Sequence, residues 1–213
     1  MKPQITADEM TKIHNEVISL FKDLLIPFME VQRDIPFSGA AKRHETDAEH
    51  IFSLAMVALS LEERLGLNLD RGMIAQYALI HDLVEAYAGD VSAKAEEHLH
   101  AAKAIDEAKA LQAIQDRYSK VYPWISNMCV AYEQKTDTES KFVYSVDKLM
   151  GAYTWLAGDL RHWDEYYPAD KPDLLAVTIE RLRKKISDKN IDLVPIFDSL
   201  HDVLSKKLSE QKK

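Results

Sequence analysis

Apolar residues return at spacings of three and four along almost the whole chain, the period of helices that each bury one face. Residues 8–30 carry Ile13, Val17, Leu20, Leu24 and Phe28 in this register, with Pro27 placed to bend or end the helix. Thr46 or Asp47 is positioned to cap the next helix, which runs through Ile51, Leu54, Ala55, Ala58 and Leu61 toward Gly66. Asp70 caps a third over 71–88, ended by Gly89. An Ala-, Glu- and Lys-rich helix spans 92–121, a short one starts at "YPWI" (122–125), and a long one runs from Thr138 through Asp147 and Trp155. Two more fill 172–209, parted near Lys189–Asn190. The stretch 33–46 reads as a loop, and no segment has the alternation of a strand. The expectation is one all-α domain, a single compact helical bundle over residues 1–213.

Composition agrees and excludes several functions. Six Gly and seven Pro in 213 residues suit long helices with short connections. A net charge of −8 argues against a nucleic-acid or anionic-membrane binder, although a local cluster of cations can still receive a small anion. The single cysteine, Cys129, fits a reducing compartment and reads as a small buried hydrophobe. The N-terminus has no apolar core of a signal peptide, and no run is long enough to span a bilayer, so a cytoplasmic protein is expected.

Three helices carry a polar group where the pattern calls for an apolar one. His50 lies beside Ile51 and Leu54, His81 and Asp82 sit inside "ALIHDLVEAYAGD", and Asp147 falls among Val143, Val146, Leu149 and Met150. Each alone has an ordinary reading, a hydrogen-bonded core histidine or a surface carboxylate. Together they suit a divalent ion, because burying charge without a partner is costly. Two imidazoles and two carboxylates favour Mn, Fe, Co, Ni or Zn over Ca, and the lack of thiolates removes the common structural-zinc pattern. On a helix His81 and Asp82 point about 100° apart, and they converge only if the ion sits between them. Glu85, four residues after His81, shares its face and is placed to act on water as an acid or base, or else pairs with a lysine. Asp90 is either part of a turn after Gly89 or an acceptor for a substrate hydroxyl. His98 and His100 are two apart in a helix that reads as solvated, which disfavours a second metal. Trp124, Trp155 and Trp163 read as core or interface, and "RLRKKISDK" (181–189) as a solvated helix face.

The order of these residues, with the segments "EVQRDIPF", "RHETDAEHIFSLA", "ALIHDLVEAYAGDV" and "YEQKTDTESKFVYSVDKLMGA", resembles the HD-domain metal-dependent phosphohydrolases, in particular their 5′-deoxynucleotidase branch. The resemblance covers about residues 20–160 and leaves 161–213 as further C-terminal helices. It implies that His50, His81, Asp82 and Asp147 hold one divalent transition-metal ion. Glu85 then engages the attacking water, Arg33 binds phosphate, Asp90 recognises the sugar hydroxyl, and Glu133 is a further acid near the pocket. Some members carry an aromatic residue directly after the arginine, where this chain has Asp34. The implied function is a 5′-nucleotidase on deoxynucleoside monophosphates, working by attack of a metal-bound water. The alternatives are a deoxynucleoside triphosphate triphosphohydrolase, with Lys42 and Arg43 as extra cations, or a non-catalytic metal- or nucleotide-binding regulatory module. The implied partner is a small nucleotide rather than nucleic acid or membrane. A homodimer is expected too, with Trp155 and Trp163 as its apolar surface.

Overall fold

The first helix, α1 (Ala7–Leu20), begins at Thr6, whose hydroxyl accepts from the Glu9 amide while Glu9 answers the Thr6 amide. The computed structural model describes residues 5–37, 43–92, 94–158, 160, 163–168, 170–171 and 173–211. After α1 the chain makes a π-helical turn, Phe21–Leu25, before α2 (Ile26–Glu30). Pro27 explains the change of pitch. It has no amide proton to give the Asp23 carbonyl, and the Tyr87 hydroxyl donates to that carbonyl instead (2.8 Å).

The segment read as a loop contains a short antiparallel hairpin, β1 (Gln32–Pro36) with β2 (His44–Thr46). Its pairing is irregular, with Gln32 opposite Thr46 and Pro36 opposite His44. A three-residue strand carries too little alternation to be read from sequence. The backbone pairs here because Phe37 donates to Arg43 and Asp47 to Val31, which closes the hairpin onto the next helix.

That helix, α3 (Asp47–Leu65), is capped by Thr46 through a capping box with Glu49 and ends on Gly66 at φ +61°. Then come α4 (Arg71–Ile80, capped by Asp70), α5 (Glu85–Ala88), α6 (Glu97–Tyr118), α7 (Pro123–Gln134) and α8 (Thr138–Ala157). A short α9 (Trp163–Tyr166) precedes α10 (Asp173–Ser187) and α11 (Val194–Gln211). Helix α8 is the axis of the bundle. Phe142, Val143, Val146 and Leu149 are fully buried, and α3, α4, α7, α10 and α11 pack around it.

One helix differs from its expected span. The continuous helix over 71–88 is broken: α4 stops at Ile80, and residues 81–84 form turns closed by bonds from Leu83 to Ile80 and from Glu85 to Asp82. The break falls on His81–Asp82. The His81 Nδ1 bonds the Ala78 carbonyl (2.9 Å). No described helix is long and apolar enough to cross a membrane.

Candidate metal centre and its cavity

The unwound turn resolves how adjacent residues can face one point. His81 Nε2 lies 2.9 Å from Asp82 Oδ2, although a regular helix would point the two apart. With Nδ1 engaged by the Ala78 carbonyl, Nε2 keeps its lone pair for another partner. His50, on the first turn of α3, reaches in from the side, its ring 5.2 Å from that of His81. Nitrogen and oxygen atoms of His50, His81 and Asp82 all lie within 4.8 Å of one another. Asp147 of α8 meets both imidazoles, with Oδ1 at 2.9 Å from His50 Nε2 and 3.9 Å from His81 Nε2.

A divalent cation fits these residues. Among the described residues the buried His81 Nε2 makes no hydrogen bond, although Asp82 Oδ2 approaches it to 2.9 Å. An unpaired buried lone pair between carboxylates is costly unless a cation accepts it. The mixed nitrogen and oxygen donor set matches the harder transition metals.

Electrostatics around this point are strongly coupled. Burial pushes Asp82 upward, but His81 and Arg33 outweigh it and hold the carboxyl far below its usual range. Asp147 is likewise lowered against burial, by Lys148, which donates to its Oδ2, and by His50. Burial lowers His50, yet the carboxylates of Asp147, which accepts from its Nε2, and of Glu45 raise it overall.

Glu85 stands beside this cluster and is almost fully buried at 2 % exposure. The break in the helix removes the one-turn relation to His81 expected from sequence. Glu85 groups instead with Asp82 and Asp47, their oxygens within 4.8 Å of one another. Burial and then the Asp82 charge push it up to about 10, against the pull of Lys103. Lys103 of α6 donates to its Oε1 (2.6 Å), and Oε2 has no partner among the described residues. Arg33 lies across the cluster on β1. Its Nη1 donates to Asp82 Oδ2 (2.8 Å) and Asp47 Oδ1 (3.1 Å), and among the described residues Nη2 makes no hydrogen bond.

Arg33, Asp90 and Glu133 line the same cavity as these groups, which holds about 400 Å³. Asp90 accepts from the Asp34 amide (3.4 Å) and sits 3.7 Å from the Lys103 ammonium. Asp34, the residue after the arginine, pairs with Lys94 (3.2 Å), whose ammonium lies over the Tyr166 ring. Glu133 is exposed at the rim. Trp155 and Trp163 pack edge to face at 5.0 Å and wall the cavity together with Tyr166 and Tyr167.

Several participants were not singled out in the sequence. Asp47 could have been found, since it precedes His50 by three residues and shares its helix face; Thr46 takes the capping role and leaves Asp47 free to turn inward. Lys103 and Lys185 gave no signal, because a lysine on a charged helix looks solvated. His98 is exposed beside Glu96, as expected, but His100 lines the cavity and accepts from Arg181 (3.0 Å). In the 181–189 run Arg183 and Lys184 are exposed, while Lys185 faces the cavity. Lys42 lies outside the described residues. Arg43 pairs with Glu49 at the surface and stacks over Phe37, away from the cavity lining.

No curated protein sequence matches the chain. A solved structure of a predicted metal-dependent phosphohydrolase from Magnetospirillum magnetotacticum superposes with a TM-score of 0.71 at 20% identity, covering 95% of this chain and 97% of that one. A protein from Pyrococcus horikoshii gives 0.52 at 22% identity over 88% of this chain and 99% of its own. At those identities the likeness is one of fold. The family model for the HD domain matches residues 30–189, a span that takes in the hairpin arginine, the broken His81–Asp82 turn and Asp147; this chain belongs to the HD domain family.

Proposed function

We propose that this protein is a metal-dependent phosphohydrolase, and within that class a 5′-nucleotidase acting on deoxynucleoside monophosphates. The observation that carries the reading is the buried His81 Nε2, without a hydrogen bond among the described residues and grouped with His50 and Asp82 on the wall of a cavity that also holds Arg33. His50, His81, Asp82 and Asp147 would hold one divalent ion, Mn, Co, Fe, Ni or Zn, which when bound polarises a phosphoryl oxygen and lowers the pKa of water.

The chain's own residues supply the rest. Arg33, braced by Asp47 and Asp82, directs its remaining guanidinium edge to the phosphate. Glu85 engages the attacking water at Oε2, while Lys103 on Oε1 fixes the carboxyl in place. Asp90 accepts a sugar hydroxyl. The aromatic wall of Trp163, Tyr166 and Tyr167 excludes water and offers faces to a base. A cavity of about 400 Å³ is on the scale of small-ligand sites. Product analysis tests this: dAMP should yield deoxyadenosine and phosphate. Release of triphosphate from dATP, with dAMP untouched, would favour the triphosphohydrolase alternative. Metal binding without turnover of any nucleotide would favour the regulatory module.

We infer a homodimer as well, through a different surface from the one expected. Trp155 and Trp163 are core residues, each 6 % exposed, and cannot form the contact. Met10, Ile13, Val17 and Phe21 instead follow one another at spacings of three and four along α1 and the π turn, all exposed, and no residue of α1 is buried. A helix of 14 residues is marginal on its own, so this face calls for a cover. Ile18, Ile26, Met29, Phe52 and Met56 are exposed as well, and a stable interface takes ~800 Å² from each partner. The occupant proposed is a second copy. Light scattering should give twice the chain mass, and Val17→Asp should give the monomer; a monomeric parent protein would refute the dimer.

A further inference from the structure

Three lysines surround one ring beside the metal centre, and a fourth lines the same cavity. The ammonium of Lys148 lies 4.6 Å from the Tyr144 centroid, that of Lys189 4.9 Å, and that of Lys135 5.0 Å. Lys185, four residues before Lys189, lines the cavity with Lys135, Lys148 and Tyr144. Lys148 is engaged by Asp147. Among the described residues no carboxylate comes within 4 Å of the ammonium of Lys135, Lys185 or Lys189. Burial pushes Lys135 down to about 8 against the pull of Glu133, and the nearby charges of Lys148 and Lys189 add to the fall. Burial, Lys148 and Arg181 do the same to Lys185.

The backbone gives an independent sign. Lys135 is the C-cap of α7 at φ +50°, in the left-handed region. Glycine or asparagine is the usual choice there, because a side chain at that φ is strained. A lysine at this position accepts strain, crowds other cations and gains no ion pair. Its ammonium lies over Tyr132 (3.6 Å) and donates to that residue's carbonyl, which places it at the cavity.

We propose that Lys135 and Lys148 at Tyr144, with Lys185 on the same cavity lining and Lys189 beside the ring, form a second phosphoryl-binding subsite distinct from Arg33. The proposal rests on reading the cavity as a phosphohydrolase site, and it extends the ligand class to nucleotides with more than one phosphoryl group. Clustered cations repel, and an anion among them offsets both the repulsion and the burial. The phosphoryl group has two possible sources, a second group on the nucleotide or the free phosphate released by hydrolysis. In either case the P–O5′ bond is the one broken: water oxygen bonds to phosphorus and O5′ leaves with a proton.

Calorimetry on the manganese-loaded full chain tests this with three probes. Two are deoxyadenosine analogues with carbon in place of O5′, one bearing one phosphoryl group and the other two; the third is inorganic phosphate. The two-group analogue should bind about tenfold tighter or more, the scale of one hydrogen bond to a charged group. Lys135→Gly and Lys185→Met should each erase most of that gain and leave the one-group analogue within about twofold. Lys135→Gly should also leave Tm unchanged or higher, because glycine suits the backbone there; a lysine kept only for structure would lower it. If the two-group gain is absent but phosphate binding is lost in both variants, the subsite stands and its ligand is free phosphate. Equal affinity for the analogues with no effect of either variant on phosphate overturns the subsite. So does parallel loss of one-group binding, which would assign these lysines to the scissile phosphate. Failure of all three probes to bind the parent protein would overturn the phosphohydrolase reading itself.

Discussion

The His81→Ala protein is expected to fold, to carry no metal, and to lose phosphohydrolase activity. Its imidazole does two things that alanine cannot. Nδ1 holds the Ala78 carbonyl at the point where α4 unwinds, and Nε2 presents a buried lone pair to the ion. Changing a residue that only orients a ligand costs ~10–100-fold in metal affinity, so removing the ligand itself should cost more. The fold should survive, because α8 and the helices around it supply most of the core. Elemental analysis and circular dichroism on the same sample check both halves. A helical protein at full metal occupancy would remove His81 from the ligand set.

Glu85→Gln should fail differently, retaining metal and nucleotide binding while turnover falls by ~10²–10⁴-fold, the usual contribution of a positioned acid or base. The amide keeps the shape of the side chain but lacks the carboxyl that engages the water. Lys103 stays anchored, with Glu107 at 3.3 Å and Asp90 at 3.7 Å. Equilibrium binding of a non-hydrolysable monophosphate, next to single-turnover rates, separates the two effects. Loss of metal in Glu85→Gln would make it a ligand; unchanged turnover would place the proton transfer elsewhere.

How much of this was legible in the sequence depended on the range of the interaction. Helices, caps and breaks follow local rules, so Thr46, Gly66, Asp70 and the Pro27 irregularity could be read directly. The hairpin could not, because a short polar strand pair is decided by contacts with α3 and not by its own pattern. The broken helix at His81 was missed for a related reason. Its apolar period continues to Ala88, and the turn is fixed by a tertiary cluster that overrides helix propensity. The groups at the centre were visible because a His or Asp on an apolar helix face is conspicuous. The cavity's lysines were not, since Lys103, Lys135 and Lys185 look like ordinary solvated charges until α6, α7 and α10 are placed over the centre. The tryptophans show the converse. Trp155 and Trp163 are as apolar as an interface requires, and only the position of α9 reveals that the chain buries them itself.

A divalent ion at His50, His81, Asp82 and Asp147 is expected to make this chain a nucleotide phosphohydrolase. Phosphate release from dAMP should be measured on protein as purified, after chelation, and after return of manganese or cobalt with metal content recorded at each stage. Activity should disappear with the metal and return in proportion to about one ion per chain. A rate unaffected by full removal of the ion, or no release from any nucleotide with the site loaded, would contradict it.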